Sequence, residues 1–236
     1  MSRIPILAAA VLMASAAHAA DTDPPPPVQL SASVAAVSDY RFRGVSLSNR
    51  HWAAQGEVRL DSDPGFYGGV SATTVSGRLL GGAAGEADLY AGWTHSYGDG
   101  WRPDVGVQGY LYLAGRRRDF VELYGALTTP GFGPANALKL TGGINYAPDQ
   151  ANLRGDNVYG FAELNASAAT VPLSLRLRAG VESGGRAGNK VDWLAGVRYK
   201  PSRLPFTFAL SYVEASHSFA RDGGAGVVFS VNLLLK

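Results

Sequence analysis

From residue 29 almost to its end, the sequence repeats one pattern. About ten residues alternate apolar with polar, and a break rich in Gly, Asp or Pro follows. Between His51 and Asp61, for example, Trp52, Ala54, Gly56, Val58 and Leu60 share one face, and Gln55, Glu57, Arg59 and Asp61 share the other. In an extended strand a period of two sends these sets to opposite sides. Repeated along the chain, it predicts an all-β protein, a transmembrane antiparallel β-barrel with apolar side chains toward lipid and polar ones toward a lumen.

Composition agrees. The chain is 46% hydrophobic with a mean hydropathy near zero. Beyond the N-terminal region no stretch reaches the roughly 20 apolar residues of a spanning helix, so any membrane span must be built from strands. The absence of cysteine removes disulfide frameworks, thiolate catalysis and cysteine metal sites. A net charge of +2, with basic residues scattered among acidic ones, argues against nucleic acid as a partner. A soluble sandwich or lipocalin-like barrel would turn its alternating apolar residues inward. Against that reading, the polar faces carry charges of both signs on many strands, more than a solvated surface demands.

The N-terminus indicates export. Arg3 precedes an apolar stretch over 4–16, and Ala17-His18-Ala19 places small residues around a cleavable bond. Residues 1–19 read as a secretory signal peptide removed after about Ala19; the apolar stretch is too short for a span. Residues 20–28, with Pro24 to Pro27, read as a Pro-rich periplasmic linker that cannot pair in a sheet. Residues 29–236 form the barrel. The expected location is the outer membrane of a Gram-negative bacterium.

Twelve strands are expected, over 29–38, 51–61, 65–75, 86–97, 101–113, 119–128, 136–147, 157–168, 172–182, 190–200, 205–214 and 224–235. An even count puts both termini on the periplasmic side. The turns on that side would then be mostly short, as at 61–64 and 98–100, and the outward connections mostly longer, as at 39–50 and 147–156. Aromatics near strand ends, among them Trp52, Phe66, Trp93, Tyr97, Trp101, Tyr146, Trp193, Tyr199, Phe206 and Phe208, are placed to form interfacial girdles.

The polar faces supply the candidate pore-lining residues: Glu57, Arg59, Glu86, Asp88, Arg102, Asp104, Glu122, Lys139, Glu163, Arg176, Arg178, Asp192 and Arg198, with Gln108, Tyr124 and Asn165 beside them. Twelve strands enclose more than filled eight-stranded barrels and less than 16-stranded porins, so a narrow or partly occluded bore is expected. Outer-loop basic residues form a second set: Arg41 and Arg43, the run Arg116-Arg117-Arg118, and around them Arg50, Arg78, Arg154, Arg186, Lys190 and Arg221. Arg41 and Arg43 are open to three roles: lining a channel mouth, holding lipopolysaccharide phosphates, or pairing with carboxylates on neighbouring strands to fill the lumen. The Arg116–Arg118 run is either a basic rim that favours anions or a solvated loop cluster. Catalysis is not expected. His51, His95 and His217 lack a nucleophile motif, no metal-ligand set recurs at suitable spacing, and no cofactor is implied.

The segment Ser38-Asp39-Tyr40-Arg41-Phe42-Arg43-Gly44-Val45-Ser46, preceded by Ala32-Ser33-Val34-Ala35 and followed by Trp52-Ala53-Ala54-Gln55-Gly56, resembles the opening of the TorF-type porins of proteobacteria. Gly65 to Val70, Glu86 to Gly92, Phe120 to Tyr124 and Val228 to Val231 extend the likeness over the mature chain. The resemblance implies an outer-membrane porin and defines little of its solute. One departure is the ending Leu233-Leu234-Leu235-Lys236, where such barrels usually finish on an aromatic residue read by the outer-membrane assembly machinery. The expected function is passive diffusion of small hydrophilic solutes through a narrow pore. The alternative is a non-conducting barrel whose arginine-rich outer loops bind lipopolysaccharide or a surface partner. Oligomeric state is left open. The export signal predicts that mass spectrometry of the purified protein finds an N-terminus near Ala20 in a carbonate-resistant outer-membrane fraction; a chain that keeps residues 1–19 contradicts it.

Overall fold

Inside lipid no backbone N–H or C=O can be left without a partner, and a sheet meets that demand only by closing on itself. The structure, a computed structural model, describes residues 28–76, 80–114, 119–149, 155–185, 189–216 and 224–235. The signal segment and Pro24 to Pro27 lie outside them, as do Arg78, Arg116, Arg117, Arg118, Arg154, Arg186, His217 and Arg221.

Among the described residues, twelve strands close into one antiparallel barrel. They are β1 (Val28–Val37), β4 (Ala53–Ser62), β5 (Phe66–Thr74), β6 (Gly85–Thr94), β7 (Arg102–Leu113), β8 (Phe120–Thr128), β9 (Leu138–Ala147), β10 (Asn157–Ser167), β11 (Leu173–Gly184), β12 (Lys190–Tyr199), β13 (Phe206–Ser216) and β14 (Gly226–Leu235). Two short strands, β2 (Arg41–Phe42) and β3 (Val45–Ser46), form a hairpin of their own inside the first long connection. Each barrel strand pairs with its neighbours in sequence. Closure comes from β1 against β14, in register from Ala32 opposite Leu235 to Val37 opposite Ser230. Every expected barrel strand is present. The ends differ by small amounts: Val28, assigned to the linker, opens β1 by pairing with Ser62, and β11 and β13 run on to Gly184 and Ser216 through pairs with Asn157 and Val191.

The alternation sorts as the pleat requires. Leu89, Val105, Val107, Leu123, Ile144, Leu175, Val197, Leu210 and Val227 all face outward and exposed. An apolar surface that wraps the whole barrel suits hydrocarbon, not water. The belt ends in aromatics. Phe66, Trp93, Trp101, Tyr199 and Phe206 sit at the end that carries both chain termini, and Trp52, Tyr146, Trp193 and Tyr212 at the other. Amphipathic rings favour this interfacial depth. Glycines on the lumen side make room for inward rings: a Cβ at Gly92 would strike the Tyr67 phenol, and one at Gly106 the Tyr124 phenol.

A charge on the lipid face tests the orientation of the pleat. Leu89→Arg, midway along β6, is expected to cost about 2–4 kcal/mol in urea unfolding from lipid vesicles. Gln108→Arg on the lumen face is expected to move the midpoint little, and a reversed ranking would contradict the assignment of faces.

Candidate functional site

A twelve-stranded barrel is wider than its own side chains fill. Here the first long connection, residues 38–52, folds into the outer end of the lumen. Its hairpin turns on Arg43 and Gly44, both with positive φ (47° and 83°), the backbone that a two-residue type I′ turn requires. Gly44 is demanded twice, by that backbone and by space, because a Cβ there would lie 2.6 Å from the Ala215 Cβ on the barrel wall. Asp39 braces the base of the hairpin: it pairs with Arg41 Nε at 2.6 Å and accepts hydrogen bonds from Ser46 Oγ at 2.5 Å and Ser48 Oγ at 3.3 Å.

Arg43 at the tip is the anchor. Its guanidinium donates to both carboxylate oxygens of Glu122 at 2.8 and 2.7 Å and to Glu182 at 2.7 Å. It lies between the rings of Phe42 and Tyr159, with centroid distances of 4.6 and 4.2 Å. Lys190 completes the cluster by pairing with Glu182 at 2.7 Å and donating to the Arg43 carbonyl at 2.9 Å. Two cations and two carboxylates thus balance in a space closed to solvent, with side-chain exposures of only 7% for Arg43 and 2% for Glu122. Burial works against the guanidinium's charge, but Glu122 and Glu182 reverse the effect and hold it above the ordinary arginine value. The cost of placing Arg43 in the left-handed region is set against these charge-assisted bonds.

Two further contacts fix the rest of the loop. Tyr40 donates its phenol to Glu86 at 2.5 Å, and burial, with Glu86 beside it, pushes its pKa up. Leu47 packs with Val75, Leu80 and Ala83, against Tyr40, Phe42 and Tyr112. Arg41 reaches the carbonyls of Gly44 at 3.0 Å and Gly224 at 2.7 Å. Arg41 and Arg43 belong to the first outer connection, and Lys190 opens β12 at the same end of the barrel. All three side chains are buried inside the barrel: Arg43 and Lys190 pair with carboxylates of the lumen wall, and Arg41 pairs with Asp39 of its own loop.

The remaining candidate residues divide by depth. Glu86 and Asp88 are buried beneath the loop, where Asp88 accepts from Ser71 Oγ at 2.9 Å. Asp192 accepts from Tyr159 at 3.1 Å and lines a cavity of about 390 Å³ on the lumen side of the hairpin. On the outer side, Phe42, Arg43, Glu122 and Lys190 border a cavity of about 240 Å³, so the loop divides the bore. Toward the terminal end, Arg102, Asp104, Lys139, Glu163, Arg176 and Arg178 line a cavity of about 530 Å³, together with Gln108, Tyr124 and Asn165. Arg198 lines another, of about 480 Å³, that shares Arg176. Glu57 accepts from Tyr90, and Arg59 pairs with Asp61 at 2.7 Å over the Tyr67 ring. Glu163 is held by Arg176 at 2.7 Å and Arg178 at 3.6 Å. Tyr159 and Glu182 were not among the candidates, although both fall on inward positions: Tyr159 in step with Glu163, and Glu182 in step with Arg176 and Arg178. No group of three metal-ligating side chains occurs among the described residues.

The cluster makes a double-mutant prediction. Arg43→Ala leaves the buried Glu122 without its cation and Glu182 with Lys190 alone, and is expected to destabilise the folded barrel by about 3–5 kcal/mol in urea unfolding. Adding Glu122→Gln should cost less than the sum of the single changes, by about 0.5–3 kcal/mol. Strict additivity would mean that the two side chains do not meet.

Comparison with solved structures finds the same closed barrel in membrane channels. The KdgM porin superposes with a TM-score of 0.60 at 7% identity, over 87% of this chain and 98% of that one. An outer membrane channel from Pseudomonas putida F1 gives 0.52 at 12% identity, over 91% and 99%. At such identities the likeness is one of fold. Joined to the apolar belt and its aromatic girdles, that fold makes this chain an outer-membrane barrel. No curated protein matches the sequence. Residues 21–229 match a family described as bacterial proteins of unknown function, and the chain belongs to that family, Gcw_chp.

Proposed function

We propose that the chain is an outer-membrane channel for passive diffusion of small hydrophilic solutes, with a bore narrowed by its own first loop. The observation that carries this reading is a closed barrel whose interior holds polar cavities of about 480 and 530 Å³ below the hairpin. A barrel that served only as a scaffold would gain more by packing that interior with apolar side chains. The porin and channel folds support the reading, as does the resemblance of residues 38–46 to the TorF-type porins. Mature export after about Ala19 and the periplasmic linker belong to the same proposal. So does the role of the inward charges, which would meet the solute where no lipid reaches.

The alternative, a non-conducting barrel that binds lipopolysaccharide or a partner through outer-loop arginines, loses two of its residues. Arg41 and Arg43 are engaged inside the lumen. A catalytic reading of the lumen carboxylates finds the outer ones held already: Glu86 by Tyr40, and Glu122 and Glu182 by Arg43.

Planar-bilayer recording tests the channel reading. The refolded wild-type protein is expected to show discrete openings of low conductance, smaller than those of a 16-stranded porin measured alongside, because the hairpin occupies part of the bore. Arg43→Ala, which frees the hairpin tip, should open to a larger unit conductance. Absence of openings in both proteins, in bilayers where the reference porin conducts, would contradict the proposal.

A further inference from the structure

Cations and carboxylates are not mixed evenly along this lumen. Glu86, Asp88 and Asp192, near the loop, form no ion pair among the described residues, while Arg102, Lys139, Arg198 and Lys200, toward the terminal end, form none either. The separation is sharpest on the wall built by β11 to β14. The cavity there has Arg176, Arg198 and Lys200 in its lining and no carboxylate.

The register explains why the wall is hollow. Arg176 lies opposite Gly196, which lies opposite Ser211; Arg198 lies opposite Ala209, which lies opposite Ser230; Thr207 lies opposite Asn232. Long cationic side chains on β11 and β12 therefore face small or hydroxyl-bearing residues on β13 and β14. The result is a recess with positive groups along one side and hydroxyl and amide groups along the other. A second observation points to a spare donor on this wall: Arg176 pairs with Glu163 through Nη2 at 2.7 Å, and its Nε is buried without any hydrogen-bond partner. An unsatisfied guanidinium N–H beside a polar cavity is an unfilled donor.

From this geometry we infer a binding subsite for small hydroxylated carboxylates on the β11–β14 wall. Arg176 and Arg198 take the carboxylate, and Ser211, Ser230 and Asn232 take its hydroxyl groups. Guanidinium forks suit a carboxylate by paired charge-assisted hydrogen bonds. Lys200 adds positive potential at the terminal-end rim of the recess. The inference rests on the channel reading and gives it a substrate class. A solute of this kind would dwell on the wall below the hairpin before it leaves the barrel.

Equilibrium binding separates the subsite from conduction. Isothermal titration of gluconate into the refolded wild-type barrel in detergent should give saturable binding that weakens with salt. Sorbitol, with the same carbon skeleton and no charge, should give none. Arg198→Gln removes a side chain that makes no ion pair, so the barrel should keep its heat-modifiable migration while gluconate affinity falls about tenfold or more. Ser230→Ala should weaken gluconate and leave inorganic phosphate unchanged. Binding of gluconate by a barrel that does not conduct would retain the subsite and sink the channel. Conduction without gluconate binding, equal binding of sorbitol, or wild-type affinity in a folded Arg198→Gln barrel would overturn the subsite.

Discussion

Closure of the sheet governs everything else in this molecule. Pairing β1 with β14 satisfies the backbone where lipid offers no partners, and it fixes the number of strands around the ring. That number fixes the diameter. Twelve strands leave a lumen too wide for inward side chains to fill and too narrow to resemble the bore of a general porin. The chain fills the outer end with its own first loop. At the other end it leaves cavities edged with arginine, lysine and hydroxyl groups. The apolar belt follows from the same closure, because each residue that does not face the lumen must face hydrocarbon.

The loop stays in place through a charge cluster that only a closed barrel can assemble. Glu122 comes from β8, Glu182 from β11 and Lys190 from β12, and Arg43 reaches all three from the hairpin tip. A buried ion pair is weak evidence of net stability, since desolvation offsets much of its attraction. Its stronger effect is on conformation. With Arg43 withdrawn, Glu122 would remain in a dry space without a cation and Glu182 with Lys190 alone, so the loop has one favoured position and not a range of them. Conduction and loop docking are thereby linked: whatever passes must go around the hairpin or displace it.

Much of this was legible in the residues. Period-two alternation located every barrel strand to within a few residues, because the pleat makes side-chain direction a local property. The path of the first loop was not local. Arg43 finds its carboxylates 79 and 139 positions away in the sequence, and nothing near Asp39 to Arg50 says whether a basic loop points to solvent or into the barrel. Of the three roles open to Arg41 and Arg43, filling the lumen by pairing with carboxylates is the one the geometry supports. Tyr159 and Glu182 were in reach, since each shares its parity with charged residues already placed inward. The hollow on the β11–β14 wall required the register, which sets Gly196 opposite Ser211 and Ala209 opposite Ser230.

The central claim is that the first loop is docked inside the barrel, and amide hydrogen exchange of the refolded protein tests it most directly. The Leu47 amide donates to the Tyr40 carbonyl at 2.7 Å, and the Ser76 amide to the Leu47 carbonyl at 2.8 Å. The Tyr40 amide donates to Ser48 Oγ at 2.9 Å. A docked loop predicts slow exchange at Tyr40, Leu47 and Ser76, comparable with amides in the barrel strands. Exchange at these positions as fast as in an unstructured peptide, while the strands stay protected, would contradict it.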